Sequence, residues 1–471
     1  MRFVRLFSPG AVLGLLLSGC VNLAPEYTQP EAPVAQNWPA IQPATQDTGP
    51  TETPVDELGW TEFYGDKRLH QLIELAMNNN RSLRQSVLAV ESARAQFQIT
   101  RATLWPSVDI GGSNSALHSN GDTNRTYSAS LGVSAYELDF FGRLRNLRDQ
   151  SLETYLSFEE TLRSIRITLV AEVATAYFTL AADQQNLRLA ERTLVSQQRS
   201  LDLTQKTFEI GTGSGLDVAT AQTSVDTARA DIAIFRTQVA EDLNNLTLLV
   251  GQPIDPALVK DAGISISDPL APLMHSIGPV VEVPSELLQR RPDVLAAERA
   301  LRAANADIGA ARAARFPSIN LTTSGGTSSN ELSDLFGAGT GLWSFIPSVS
   351  LPIFDAGARK ANVRVAEAER DAALAAYEYS IQTAFREVSD ALSERSNIQE
   401  LIAARQSLVD ANEKVYRLTD ASFRKGLESS LLVLAAQRSY NSAQEDMITA
   451  RLAEALNWVT LYRVLGGGWQ P

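Results

Sequence analysis

Few side chains in this chain could do covalent chemistry. It has one thiol, Cys20, and three imidazoles, His70, His118 and His275, set in unrelated contexts. No HExxH, no paired cysteine ligands and no phosphate-binding loop occur, so the residue types for metal-assisted or nucleophilic catalysis are not gathered by spacing. Gly466-Gly467-Gly468 closes a helical stretch and has no following helix, which makes it a cap and loop rather than a phosphate cradle. The many Glu/Arg pairs read as solvated partners one helical turn apart. A net charge of −13 excludes the basic footprint of a nucleic-acid binder. The expectation is a protein that is not an enzyme and carries no cofactor. The one covalent event its residues call for is at Cys20.

Arg2 and Arg5 precede a short apolar run, Ala11 to Leu17, which is too short to span a bilayer. Leu17-Ser18-Gly19 then leads into Cys20. Small residues before a cut site, followed by the only cysteine, match a bacterial lipoprotein signal: residues 1–19 are removed and Cys20 receives lipid. In lipoproteins an Asp after that Cys retains the product at the inner membrane, so Val21 implies export to the outer membrane. Residues 20–56 are rich in Pro, Thr, Gln and Ala and read as an extended tether between lipid and fold. After the signal, no run of about 18 apolar residues is expected; a membrane crossing would then have to be a β-barrel.

The rest of the chain is an internal duplication. Trp105-Pro106-Ser107-Val108 corresponds to Phe316-Pro317-Ser318-Ile319 at an offset of 211. From Glu172-Val173 (Glu387-Val388) to Gly251 (Gly466) the offset is 215, and Phe208, Gly211, Leu216, Val218, Ala221-Gln222 and Ser224 find their counterparts at that spacing. The repeat predicts two structural units. Residues 57–251 form copy one: helix, β-hairpin 107–138, long helix 144–210, helix 216–250. Residues 284–471 form copy two: helix, β-hairpin 318–354, long helix 359–425, helix 429–465 and a C-terminal segment. Residues 252–283 link them. Leu374, Ile381, Val388, Arg395, Ile402, Val409, Tyr416 and Phe423 fall seven apart, as do Val173, Leu180, Leu187, Leu194, Leu201 and Phe208. That period keeps one seam against a partner helix and imposes a left-handed coiled coil. Neither long helix contains Pro or Gly, and each could run about 100 Å.

The four strand-like segments alternate apolar with small polar residues over about ten residues, the length of a tilted transmembrane strand. The connectors His118–Thr126 and Ser329–Leu342 read as loops. Four strands cannot close, and open edges are not viable in lipid, so several chains must associate. Two chains give a barrel that side chains fill; three, with twelve strands, are the smallest number to leave a channel.

Several stretches resemble the outer membrane factors of tripartite efflux systems, the OprM and TolC family, in its lipidated branch that serves RND-type drug pumps. They include Tyr136-Glu137-Leu138-Asp139, Phe141-Gly142-Arg143, Arg290-Arg291-Pro292-Asp293, Ile308-Gly309-Ala310-Ala311-Arg312, Leu351-Pro352-Ile353-Phe354, Ala436-Gln437-Arg438-Ser439 and Leu465-Gly466-Gly467-Gly468-Trp469. The resemblance implies an α+β membrane protein. Its homotrimer would form a 12-stranded transmembrane β-barrel, four strands per chain, continuous with a long α-helical coiled-coil periplasmic tunnel. A small mixed equatorial region would come from residues 57–66, 252–283 and 463–471. It also implies a periplasmic adaptor and an inner-membrane RND pump as partners. The tunnel would close at a periplasmic gate where the helices turn, at Gly211–Gly215 and Gly426–Ser430. Leu427 and Leu431 match the gate leucines and Arg438 a tip-locking Arg. Ala435 stands where OprM-like members carry an Asp, so the carboxylate ring attributed to that place is missing. Asp217 is a candidate substitute, and is equally placed to be a helix N-terminal Asp favoured by the dipole.

The sequence thus reads as a passive, gated multidrug exit duct. A heavy-metal efflux or type I secretion duct is the alternative within transport. A structural coiled-coil envelope lipoprotein is the alternative from another class; it would leave both hairpins unexplained.

Overall fold

The structure, a computed structural model, describes residues 22–35, 59–260 and 285–467. Cys20, the tether beyond residue 35 and the linker residues 261–283 lie outside the described residues. In chain order the elements are α1 (Trp60–Phe63), α2 (Lys67–Asn79), α3 (Arg81–Ala102), β1 (Asp109–Ser119), β2 (Asp122–Glu137), α4 (Arg143–Glu209), α5 (Gly215–Val250), α6 (Pro256–Val259), α7 (Pro292–Ala313), β3 (Ser318–Ser329), β4 (Gly341–Ser350), α8 (Ala358–Arg424) and α9 (Ser430–Val464). They divide between two compact units.

The first unit takes in residues 88–160 and 295–380 with the N-terminal segment. Its four strands form one antiparallel sheet in the order β1-β2-β3-β4. The register sorts the side chains. Ile110 lies opposite Leu131, Leu131 opposite Gly325 and Gly325 opposite Trp343, so one face is apolar. The other face carries hydroxyls: Ser113 and Ser128 share a hydrogen bond of 2.7 Å, as do Ser324 and Ser344. Among the described residues nothing covers this face at Ile110 or Trp343, which are 84% and 80% exposed. The connector expected over His118–Thr126 is strand apart from Asn120-Gly121. Both of those residues have positive φ, 53° and 88°, which is the two-residue turn whose twist matches the flanking strands. The period-2 pattern fades there because both faces turn polar, although the pairing continues. Near its end β2 bulges between Val133 and Tyr136, with Ala135 at φ 50°. The Glu137-to-Arg145 stretch then joins strand to helix. Arg143 pairs with Glu137 through Nε at 2.9 Å, and the Asp139 carboxylate accepts the Arg145 backbone N–H at 2.9 Å.

The second unit is helical. The heptad seam of α8 is buried at Ile381, Val388, Ile402 and Val409, with Ile398 interleaved, and Met447 of α9 packs into the same cluster. In α4 the seam holds at Val173 and Leu180 and then moves. Toward the turn the buried positions are Ala190, Gln197 and Thr204, also seven apart, while Phe208, expected on the seam, is 50% exposed. α4 does contain a stretch long and apolar enough to cross a membrane, contrary to expectation, but 67% of it is buried inside the chain. The opening helix of the first copy is two helices. Asn80 breaks it, accepting from the Leu83 N–H at 2.8 Å and donating to the Leu249 carbonyl at 2.7 Å. Phe63, Tyr64 and Tyr462 form an aromatic core, with ring centroids 4.7 and 5.7 Å from Tyr462. Arg291 explains its motif: it donates to Asp293 at 2.7 Å, Glu387 at 2.9 Å and the Val464 carbonyl at 2.9 Å.

Two adjacent glycines test the sheet. A Cβ on Gly326 would stand 2.2 Å from the Ala129 carbonyl oxygen, whereas one on Gly325 meets nothing within 4 Å. Gly326→Val is expected to abolish strand pairing and Gly325→Val to leave it intact. Circular dichroism and limited proteolysis of membrane-extracted protein distinguish the two.

Candidate functional site

Within the second unit, the two helix hairpins turn by the same device. Gly211 and Gly426 both adopt the left-handed region, at φ 80° and 74°. This lets the last carbonyls of α4 and α8 be satisfied: Gly211 donates to the Phe208 carbonyl at 2.9 Å, and Gly426 to that of Phe423 at 2.8 Å. Ser214 and Ser429, 215 residues apart, then cap α5 and α9. The duplication therefore extends to the caps.

The copies differ three residues past the cap. In the first, Asp217 completes a capping box with Ser214. Its carboxylate accepts the Ser214 hydroxyl at 2.7 Å and its backbone N–H at 3.2 Å. Asp217 also accepts the Ser430 hydroxyl at 3.2 Å and so joins the first turn to the second. These donors, Ser214 foremost, hold its carboxyl below the usual carboxylate range. The corresponding residue of the second copy is Leu432, and Ser429 accepts only its N–H, at 3.4 Å.

Leu427 sits in the second turn and Leu431 one residue into α9; they are 75% and 54% exposed. Neither fills the helix pair. Ala435 follows Leu431 by one turn and is likewise exposed. Arg438 is exposed, and its Nε donates to the Leu434 carbonyl of its own helix at 3.3 Å, so the contact seen is within α9. Its neighbour Gln437 does connect helices: 5% exposed, it donates to the Ser196 hydroxyl at 2.8 Å.

The structure thus brings Asp217 to the second turn, which bears Leu427 and Leu431, and leaves Arg438 apart. Ser214, Ser430 and the Gln437–Ser196 pair were not expected from the sequence. The Ser214-x-x-Asp217 spacing is a capping signal that could have identified the first of them. Nothing in the sequence marks Ser430, whose partner lies 213 residues away. Among the described residues, no group of three or more His, Cys, Asp or Glu is placed to hold a metal ion.

The profile of the family described as "Outer membrane efflux protein" matches residues 72–252 and 283–467. The chain is 45% identical over 467 residues to the "Toluene efflux pump outer membrane protein TtgC" of Pseudomonas putida, covering 98% of this chain and 95% of that one. It is 40% identical over 476 residues to the "Outer membrane protein OprJ" of Pseudomonas aeruginosa, covering 98% and 96%. Among solved structures it is similar to the open state of the Neisseria gonorrhoeae MtrE outer membrane channel. There the TM-score is 0.85 and the identity 35%, covering 95% of this chain and 98% of that one.

Asp217→Ala removes the carboxylate half of the capping box and the link to Ser430, and leaves Ser214 as the cap. It is expected to destabilise the first hairpin turn by about 1 kcal/mol, read as faster amide exchange over the two turns with unchanged protection at Met447. Because the carboxyl is held low in the folded state, its contribution is complete above the ordinary carboxylate range. That contribution disappears as the pH falls through the depressed value. Wild type and variant should therefore converge only in strong acid.

Proposed function

The chain belongs to the outer membrane efflux protein family, and from that membership we propose that it is the exit duct of a tripartite multidrug pump. Three copies would close a twelve-stranded barrel, lipid-anchored at Cys20. The observation that supports this reading most is the bare sheet. β1 and β4 are its edges, one face is apolar and exposed, and the other carries hydroxyls. In hydrocarbon each unpaired backbone group costs several kcal/mol, so the edge strands need neighbours that a single chain cannot supply. Copies related by rotation join β4 of one to β1 of the next, which closes a ring. A structural coiled-coil lipoprotein would have no use for such a sheet.

The duct does no chemistry. Energy comes from an inner-membrane RND pump, and a periplasmic adaptor docks on the helical part. The chain's own contribution is the gate at the turns. Three copies of Leu427 and Leu431 about an axis would make stacked apolar rings, and a narrow apolar constriction resists wetting. Their exposure within one chain is what a ring assembled from several copies requires. Asp217 holds the second turn through Ser430, and Arg438, exposed and bonded through Nε to its own helix, presents its remaining N–H groups to a neighbouring copy.

In mild detergent, light scattering should give a mass three times that of the chain; a monodisperse monomer with full β-content would contradict the closure argument. In planar bilayers the double variant Leu427→Ser, Leu431→Ser is expected to raise single-channel conductance several-fold. Conductance at the wild-type level with a lowered melting temperature would remove the gate assignment. Ala435→Asp should make the closed state respond to added Mg²⁺; an unaltered response would mean that the missing Asp is unimportant here or that Asp217 already does its work.

A further inference from the structure

The motif Ile308-Gly309-Ala310-Ala311-Arg312 plays no part in the gate or in the closure of the sheet, and Gly309 stands in the interior of α7 where glycine weakens a helix. The reason for a glycine is the N-terminal segment. A Cβ on Gly309 would lie 2.6 Å from Cγ of Asn146 and 2.8 Å from Cβ of Ala24. The missing side chain leaves a slot in which Asn146, 2% exposed, donates to the Asn22 side-chain carbonyl at 3.0 Å and to the Gly142 carbonyl at 2.6 Å.

The segment is then held residue by residue along α7. Asn305 donates to the Pro25 carbonyl at 2.9 Å. The Tyr27 hydroxyl donates to Glu298 at 3.1 Å, and the Arg302 guanidinium, itself 2.6 Å from Glu298, stacks 4.8 Å over the Tyr27 ring. Burial and the Glu298 charge push the Tyr27 hydroxyl up to about 12. The start of the expected tether is therefore a docked peptide.

Its place in the chain gives the docking a purpose. Asn146 lies nine residues after β2 ends at Glu137, and Gly309 nine residues before β3 begins at Ser318. Both belong to helix ends that lead directly into strands. Cys20 is two residues from Asn22, a reach of at most about 7 Å.

We propose that the Gly309–Asn146 slot and the Glu298–Arg302 clamp are a binding groove for the chain's own acylated N-terminus, which fixes the lipid anchor at the strand roots and so sets the depth of the sheet in the bilayer. The lipid is on this account a positioning element and not a leash. The inference rests on the reading of Cys20 as the acylated residue.

The test uses the full acylated chain reconstituted in phosphatidylethanolamine–phosphatidylglycerol vesicles. Gly309→Leu fills the slot, and Tyr27→Ala removes the clamp's ligand from the segment side without touching any helix. Cleavage after Glu26 and Glu31 by a Glu-specific protease should become at least about tenfold faster in both variants. A four-residue Gly-Ser insertion after Val21 leaves the groove filled but frees the lipid from it. Quenching of Trp343 by brominated lipids, taken as the difference from Trp343→Phe, should then shift to a new depth. Wild-type protease resistance in both groove variants overturns the groove, and if Gly309→Leu fails to fold, Tyr27→Ala decides alone. Unaltered Trp343 quenching with the insertion overturns the positioning role. An N-terminal peptide lacking added acyl mass in the mass spectrum overturns the reading of Cys20, and the protease result stands independently of it.

Discussion

An unpaired backbone amide in hydrocarbon has no water to turn to, and much of the chain's construction answers to this constraint. Each copy of the repeat supplies one hairpin, and the two hairpins pair with each other through β2 and β3. That leaves β1 and β4 open, and only further chains can close them. The same demand for satisfied backbone shapes the joints. Where β2 ends, Asp139 receives the first turn of α4 through the Arg145 N–H, and Arg143 returns to Glu137. A strand leaving the membrane thus enters a helix without stranding a donor. The motif residues of that stretch serve the junction and not a reaction.

Duplication supplies the parts in register, and the differences between the copies concentrate at the turns. Gly211 and Gly426, and Ser214 and Ser429, are equivalent in geometry as well as in spacing. Leu431 has a counterpart in Leu216, which is also exposed, at 75%. Leu427 has none, since Thr212 occupies its place, and Asp217 is replaced by Leu432. One copy has thus become a polar, well-capped turn and the other an apolar, weakly capped one, with the Asp217–Ser430 hydrogen bond between them. A symmetric hairpin pair would offer no such division between a well-capped turn and a weakly capped one.

The helices were legible because the seven-residue period survives over many turns without Pro or Gly, and their ends fell within a residue or so of expectation. The sheet was legible in its strands but not in its first turn. Polar residues at Thr123–Thr126 obscured the alternation, although Asn120-Gly121 is a direct hairpin signal. The break at Asn80 was hidden because its partner, the Leu249 carbonyl, is remote in sequence. Asp217 takes the helix N-terminal place that was its alternative reading, and its link to Ser430 was not legible because pairing across the repeat leaves no local trace. Phe208 was misplaced because an extrapolated heptad cannot show where a seam changes residues.

That change of seam carries information of its own. Between α8 and α9 the packed residues are apolar, with Ile398, Ile402, Val409 and Met447 in one cluster. Toward the turn of α4 they become Gln197 and Thr204, and the cross-helix contact is Gln437 to Ser196. Apolar burial is lost in full when helices separate, at about 25 cal/mol per Å² of surface exposed. A hydrogen bond contributes only about 1 kcal/mol net, because water replaces the partner when the pair opens. The polar positions of α4 therefore specify which helix faces meet while adding little to the strength of the packing. Val433 and Leu434 of α9 and Ala221 and Val225 of α5 stay buried beside the turns, so the polar residues of α4 set the alignment of an otherwise apolar packing rather than replace it.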